Sequence, residues 1–310
     1  MPATARFARR ATLTACIAIA ALAGLGLPLR AAAAEPLPDS TVAPQAAADA
    51  RPALWSVDYE GQRSWLFGVV PWGEAGRDPL PAAVRAAMQA SELLASEVRQ
   101  PVNPMEAAAL LAPLRQAGHS FKSQLAPSLK APYEALCAGQ QLPCEALDTL
   151  PPFFVVASLY KMMGAKAGLP LSDDNAMSAV HQAFKDQEFL ELEGLPAGFQ
   201  LMQRVPTADQ EALLRRLLRE QGQDSVRSYA AWRRGDTDAL LANLDSSAFS
   251  PVTLQQLLGG RSQAWTEKLM PVLRQGRRVF ISVAAGLTVG PQGLVASLQR
   301  QGARVERVVY

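Results

Sequence analysis

Two stretches at opposite ends of the chain run in the same order: a β-rich segment, a glycine-containing loop, a proline, a helical segment, then a second β-rich segment. The first spans residues 64–98, with Gly68 in its loop, and the second spans residues 278–310. A strand, a crossover helix and a second strand favour parallel pairing in one sheet. The repetition therefore predicts an α/β (α+β) fold, in which two related β-loop-α-β halves form a mixed sheet core. Between them the pattern from Met105 to about Phe184 is largely helical, broken by Pro113, Pro127, Pro143 and Pro151-Pro152, so a large helical insertion is expected. Ligands of open α/β sheets bind beyond the carboxyl ends of the strands. Function is to be sought in the loops at 68–73 and 284–290.

Local signals fill in this frame. Trp55–Tyr59 and residues 64–70 are β-rich and flank Glu60-Gly61-Gln62-Arg63, a hairpin pattern. A helix is expected over 79–90 through Pro81, and strands over 92–98, 189–193, 278–283 and 304–310. Ser172 with Asp173 and Asp174 reads as a helix start, with acids at the positive end of the dipole. Thr207-Ala208-Asp209-Gln210 reads as a capping box. The helix it opens carries Leu213, Leu214, Leu217 and Leu218 on one side, a core stripe, and Arg215, Arg216 and Arg219 read as its solvated face. Helices over 223–234, 236–244 and 252–275 follow, and the second half closes with a helix over 292–301.

Residues 1–34 have the marks of a segment for targeting. They hold Arg6, Arg9, Arg10 and Arg30 and no acid, and an uncharged run, 11–27, precedes Pro28 and the small residues 31–34. A basic start, an apolar middle and an A-x-A-like exit match a secretory signal peptide cleaved after Ala34. An uncleaved anchor helix would be short for a bilayer of ~30 Å. Leu13-Thr14-Ala15-Cys16 superficially matches a lipidation box, and Arg9-Arg10 permits a twin-arginine reading. Residues 35–51 are Pro/Ala-rich, without apolar periodicity, and read as a flexible leader to one domain over 52–310. The expected destination is export, to the periplasm or the medium, with no stable membrane span after cleavage.

Cleavage changes the charge. The whole chain carries +2, but loss of the leader takes Lys+Arg from 30 to 26 against 28 Asp+Glu, a net −2. That balance leaves no basic footprint for nucleic acid. Two cysteines remain, Cys137 and Cys144, closing a short loop with Gly and Pro inside it. In an exported chain this reads as one disulfide, and metal binding by the pair is the lesser reading. The whole chain has 2 His, which excludes a His-rich metal centre.

Ala53-Leu54-Trp55-Ser56-Val57, then Trp65-Leu66-Phe67-Gly68-Val69-Val70-Pro71, then Leu93-Leu94-Ala95-Ser96-Glu97-Val98 resemble the opening of the TraB/GumN family, which is related to the Tiki metalloproteases. Leu192-Glu193, Trp232-Arg233-Arg234-Gly235-Asp236, Arg261 ahead of a helix, and residues 283–290 (VAAGLTVG) match in the same order. The resemblance covers about residues 52–309. It implies a compact α/β fold and, in active relatives, a divalent-metal hydrolase site. That site consists of two Gly-x-x-His loops, one in each half, plus a glutamate at the end of the second repeat strand. Two imidazoles and a carboxylate leave an open position on the metal, which activates a bound water and polarises a carbonyl.

This sequence departs from that pattern at both histidines. Pro71 and Leu287 stand in their places, and neither side chain can ligate a metal; only Glu97 is retained. His119 and His181 fall in the helical region. No Gly-x-Ser-x-Gly elbow and no phosphate-binding loop occurs. The carboxylate pairs Glu191/Glu193 and Asp173/Asp174 read more simply as strand-end solvation and helix capping, and Asp58, Glu74 and Asp78 flank the first loop without recognisable geometry. The expectation is a non-catalytic family member with no metal and no cofactor. Its cleft would be retained for an unidentified peptide, protein or glycan and lined by Trp65, Gly68, Pro71, Trp72, Glu97 and Leu287. The alternative is a peptidase or hydrolase using a divalent metal such as Mn, Co or Zn, with rearranged ligands around Glu97.

Overall fold

The computed structural model describes residues 50–73, 80–114, 120–169, 171, 172, 174–245 and 249–310. The expected signal segment (1–34), residues 35–49 of the expected leader, Glu74, Asp78, His119 and Asp173 lie outside the described residues. Six strands form one sheet: β1 (Leu54–Tyr59), β2 (Gln62–Val69), β3 (Leu93–Ser96), β4 (Glu188–Glu191), β5 (Val279–Ala284) and β6 (Arg304–Arg307). Their order is β4-β3-β5-β2-β1-β6. β1 pairs antiparallel with both its neighbours, whereas β2·β5, β3·β5 and β3·β4 are parallel. This is the mixed sheet that the two half-repeats imply.

The helices are α1 (Ala82–Gln89), α2 (Pro104–Leu111), α3 (Phe121–Gln124), α4 (Pro127–Gly139), α5 (Cys144–Leu147), α6 (Pro152–Lys166) and α7 (Ala176–Ala183) before β4. After it come α8 (Leu195–Gln203), α9 (Thr207–Glu220), α10 (Gln223–Arg234), α11 (Thr237–Asp245), α12 (Pro251–Leu254), α13 (Arg261–Arg274) and α14 (Leu294–Arg300). The halves interleave. The first, β2-α1-β3, steps over β5, and the second, β5-α14-β6, steps back over β2 and β1. Crossovers of one hand that run in opposite directions place their helices on opposite faces. Accordingly Val84 and Met88 of α1 pack with Phe67 and Phe280, while Leu294 and Leu298 of α14 pack with Leu66 and Ile281.

Sequence chemistry accounts for the strands. Glu60 and Gly61 take φ values of 48° and 83°, the left-handed pair a two-residue hairpin turn requires. The turn is therefore tighter than the four-residue pattern suggests, and β2 begins at Gln62. β5 is buried at every position, and such an interior parallel strand reads as an apolar run without alternation. The insertion has its own core, in which Phe154 of α6 and Phe199 of α8 have ring centroids 4.9 Å apart, and Cys137 and Cys144 form a disulfide at its edge.

Four local expectations need correction. Pro206, not Thr207, sits at the N-cap of α9, and the Gln210 amide turns back to the Val205 carbonyl at 2.5 Å, so no capping box forms. The cap of α7 is Asn175, whose Oδ1 accepts from the Ser178 N–H at 3.0 Å. The helix expected over 252–275 divides into α12, a π-helical stretch (Gln255–Gly260) and α13. Arg216 is not solvated: α10 and α11 cover it, and it donates to Asp224 at 3.2 Å and to Asn243 Oδ1 at 2.8 Å.

Candidate functional site

The register of β3, β5 and β2 gathers three loops at one edge of the sheet. Ser96 pairs with Ser282, and Val69 with Ala284. The chain therefore leaves these parallel strands side by side, at Glu97, at the Ala285–Leu287 turn and at Val70-Pro71. The two repeat loops touch, since a Cβ added to Gly68 would stand 2.9 Å from Ala285 Cα. Only glycine permits that approach. The Trp232 indole of α10 fixes the first loop by donating to the Gly68 carbonyl at 2.7 Å, which gives a physical role to a tryptophan otherwise notable only for its place in the family pattern.

Glu97 is fully engaged. Its Oε1 accepts from the Ala284 N–H at 2.7 Å and its Oε2 from Arg261 Nη2 at 2.8 Å. The same Nη2 donates to Glu193 Oε2 at 2.5 Å, and the Glu97 carbonyl accepts from the N–H groups of Glu193 and Gly194. Arg261 is the first residue of α13, and its guanidinium lies over the Trp265 ring, 4.7 Å from the centroid. The side chains are 5% exposed for Arg261, 15% for Glu97 and 9% for Glu193. Burial works against the Arg261 charge, but Glu97 and Glu193 outweigh it and hold the guanidinium protonated. Burial lifts the pKa of Glu193 above the ordinary carboxyl value, with Arg261 pulling it back.

This triad corrects the reading of Glu191 and Glu193 as a solvated pair. β4 ends at exposed Glu191, and Glu193 turns inward to Arg261. Sequence order hides the arrangement, because Arg261 stands 164 and 68 residues from its partners. No local sequence signal marked it, because Arg261 lies inside a continuous helical run from Pro251 to Arg274 and not at a free helix end.

The remaining expected site residues divide. Pro71 and Leu287 are both buried. Leu287 packs with Trp265 and Leu294, whereas Trp72 follows the core of the opposite face, with its ring edge against Tyr229 at 6.2 Å. Trp65 pairs with Phe280 within the strands, four residues or ~13 Å before the edge. A cavity of about 30 Å³ opens beside Glu97, lined by Val69, Ser96, Glu97, Val98, Gln100, Val102, Met177, Leu195, Ser282 and Val283. Glu97 lines it, while Trp65, Gly68, Pro71, Trp72 and Leu287 do not. Behind it His181 of α7 is buried, accepting at Nδ1 from the Gln100 N–H at 3.3 Å. Burial, aided by the Arg99 charge, lowers its pKa to about 4.

These residues do not fit the divalent metal that the two-histidine pattern implies. Proline and leucine offer no side-chain ligand, both oxygens of Glu97 already accept hydrogen bonds, and the guanidinium beside it would repel a second cation. Among the described residues no group of three or more His, Cys, Asp or Glu side chains is placed to hold a metal ion. Among them, too, no helix is long and apolar enough to cross a membrane.

The sequence model of the TraB/PrgY/gumN family matches residues 53–307 of the chain. Neither a curated protein sequence nor a solved structure gave a match.

Proposed function

The chain belongs to the TraB/PrgY/gumN family, and on that premise we propose that it is an exported, non-catalytic member whose cleft binds a peptide segment without cleaving it. The observation that carries this reading is the state of Glu97. Its carboxylate serves as an acceptor for Arg261 and for the Ala284 N–H, a binding role in the architecture of the edge rather than a free ligand or base. Pro71 and Leu287 remove the two imidazoles that would complete a hydrolytic centre. A peptide suits the cavity because its walls include Val69, Val98, Val102, Met177 and Leu195. They suit one small, largely apolar side chain better than a hydroxyl-covered sugar ring. Export rests on the basic, apolar and small-residue order of residues 1–34 and on the Cys137–Cys144 disulfide, a bond that persists in oxidising compartments.

The test uses purified chain lacking residues 1–34 and a broad peptide library, with Mn²⁺, Co²⁺ or Zn²⁺ added in turn. Mass spectrometry should find retained peptides and no new termini. Cleavage that disappears in Glu97→Gln would establish the alternative, a hydrolase built around Glu97, and end this reading.

A further inference from the structure

The cavity beside Glu97 has a chemistry of its own. Its floor is a cross-strand pair of serines. Ser96 and Ser282 face each other in the β3·β5 register, and both project to the face that holds Leu94 and Phe280, two residues earlier in each strand. Ser282 is fully buried, and its hydroxyl has no hydrogen-bond partner. A hydroxyl shut away in this manner loses free energy unless something in the cavity pairs with it. The walls are aliphatic, from Val69 of β2 to Met177 of α7 and Leu195 of α8. The lining residues that reach solvent are Glu97, Val98, Gln100 and Val102, so the cavity opens along the segment that follows β3.

Size decides what can enter. A space of about 30 Å³ holds roughly two water-sized atoms at ~10–15 Å³ each. Threonine carries two such atoms beyond its Cβ, one methyl and one hydroxyl; serine carries one; leucine and phenylalanine carry too many. The methyl matches the aliphatic wall and the hydroxyl matches Ser282. Charge also speaks for a neutral occupant, because both carboxylate oxygens of Glu97 already accept hydrogen bonds, from Arg261 and from the Ala284 N–H.

Resting on the peptide-binding reading above, we propose that this cavity is a subsite for one short hydroxyl-bearing side chain, threonine or serine, of the bound peptide. The Ser282 hydroxyl sets the preference for oxygen, and Val69 and Met177 set the limit on size.

The experiment selects a randomised heptapeptide library on the mature protein and on its Ser282→Ala variant, after thermal melts show both to be folded. In the parent protein one peptide position should enrich threonine or serine about tenfold over valine, the effect of an unpaired buried hydroxyl, and more strongly still over leucine and phenylalanine. In Ser282→Ala the preference over valine should vanish while the rejection of large residues remains. Bound peptides with no position selective for small residues would overturn the subsite while leaving peptide binding intact. So would a hydroxyl preference that survives Ser282→Ala. No enrichment of any peptide would instead remove the peptide-binding reading, and this subsite with it.

Discussion

Replacing Arg261 with methionine keeps most of the side-chain volume over Trp265 and removes only the charge that joins Glu97 to Glu193. At charge separations of ~4 Å and an effective dielectric of ~20, one such pair is worth roughly 4 kcal/mol of Coulomb energy. Deleting one member of a buried pair commonly costs about 3–5 kcal/mol, because the remaining charge is left desolvated. Here two carboxylates, 15% and 9% exposed, would be left facing each other. The expected loss is about 4 kcal/mol at pH 7. For a domain of this size that is a fall in Tm of about 8–16 °C, readable by calorimetry on the chain lacking residues 1–34. The sign of the pH dependence follows from Glu193, whose pKa burial raises. A carboxyl that is harder to ionise when folded costs stability above its folded pKa, and the cost is relieved as pH falls through that value. The gap between Arg261→Met and the parent should therefore be widest at pH 7 and narrow toward pH 4. Adding Glu193→Gln to the variant should recover part of it. A variant that melts like the parent, or whose deficit is equal at both pH values, would refute the argument that this cation is held for its two carboxylates.

Two further outcomes follow from buried groups elsewhere. Burial and Arg99 depress the His181 pKa to about 4 from 6.5, so the unfolded chain takes up a proton first. The stability this contributes is complete above pH ~6.5 and declines as pH falls toward 4, by up to about 3 kcal/mol. His181→Gln should flatten the urea midpoint between pH 6.5 and 4; an unchanged acid slope would exclude this histidine as its source. Reduction of the Cys137–Cys144 bond, which closes a ring with a sequence separation of 7, should cost about 2–3 kcal/mol by loop entropy. A urea midpoint indifferent to reductant would contradict that.

The parts of the fold legible in the sequence are those fixed by near neighbours. Gly61 announces the hairpin because a left-handed turn residue is needed there. The runs at Val279–Ala284 and Leu93–Ser96 announce parallel interior strands by their continuous apolar character. The repetition of strand, loop and helix announces the shared edge on which Glu97, the Gly68 loop and the Ala285–Leu287 turn converge. What stays hidden is side-chain partnership across distance. Arg216 sits between core leucines of α9, and its helical position alone cannot disclose that α10 and α11 will supply Asp224 and Asn243. Glu193 looks like a strand-end acid until α13 brings Arg261 beneath it. The cavity escaped for a related reason: Ser96 and Ser282 are ordinary small strand residues until the register sets them opposite each other.

Metal dependence decides whether this edge of the sheet holds an ion. The chain lacking residues 1–34, stripped with chelator, should be melted alone and with increasing Mn²⁺, Co²⁺ or Zn²⁺, with elemental analysis of the protein as isolated. An ion that binds the folded state raises Tm in proportion to the logarithm of its concentration once its Kd is exceeded. With no ligating side chain at Pro71 or Leu287 and Glu97 bonded to Arg261, Tm should stay unchanged and the isolated protein should carry no stoichiometric metal. A Tm that climbs with one of these metals, together with one equivalent of it in the isolated protein and loss of both in Glu97→Gln, would contradict this.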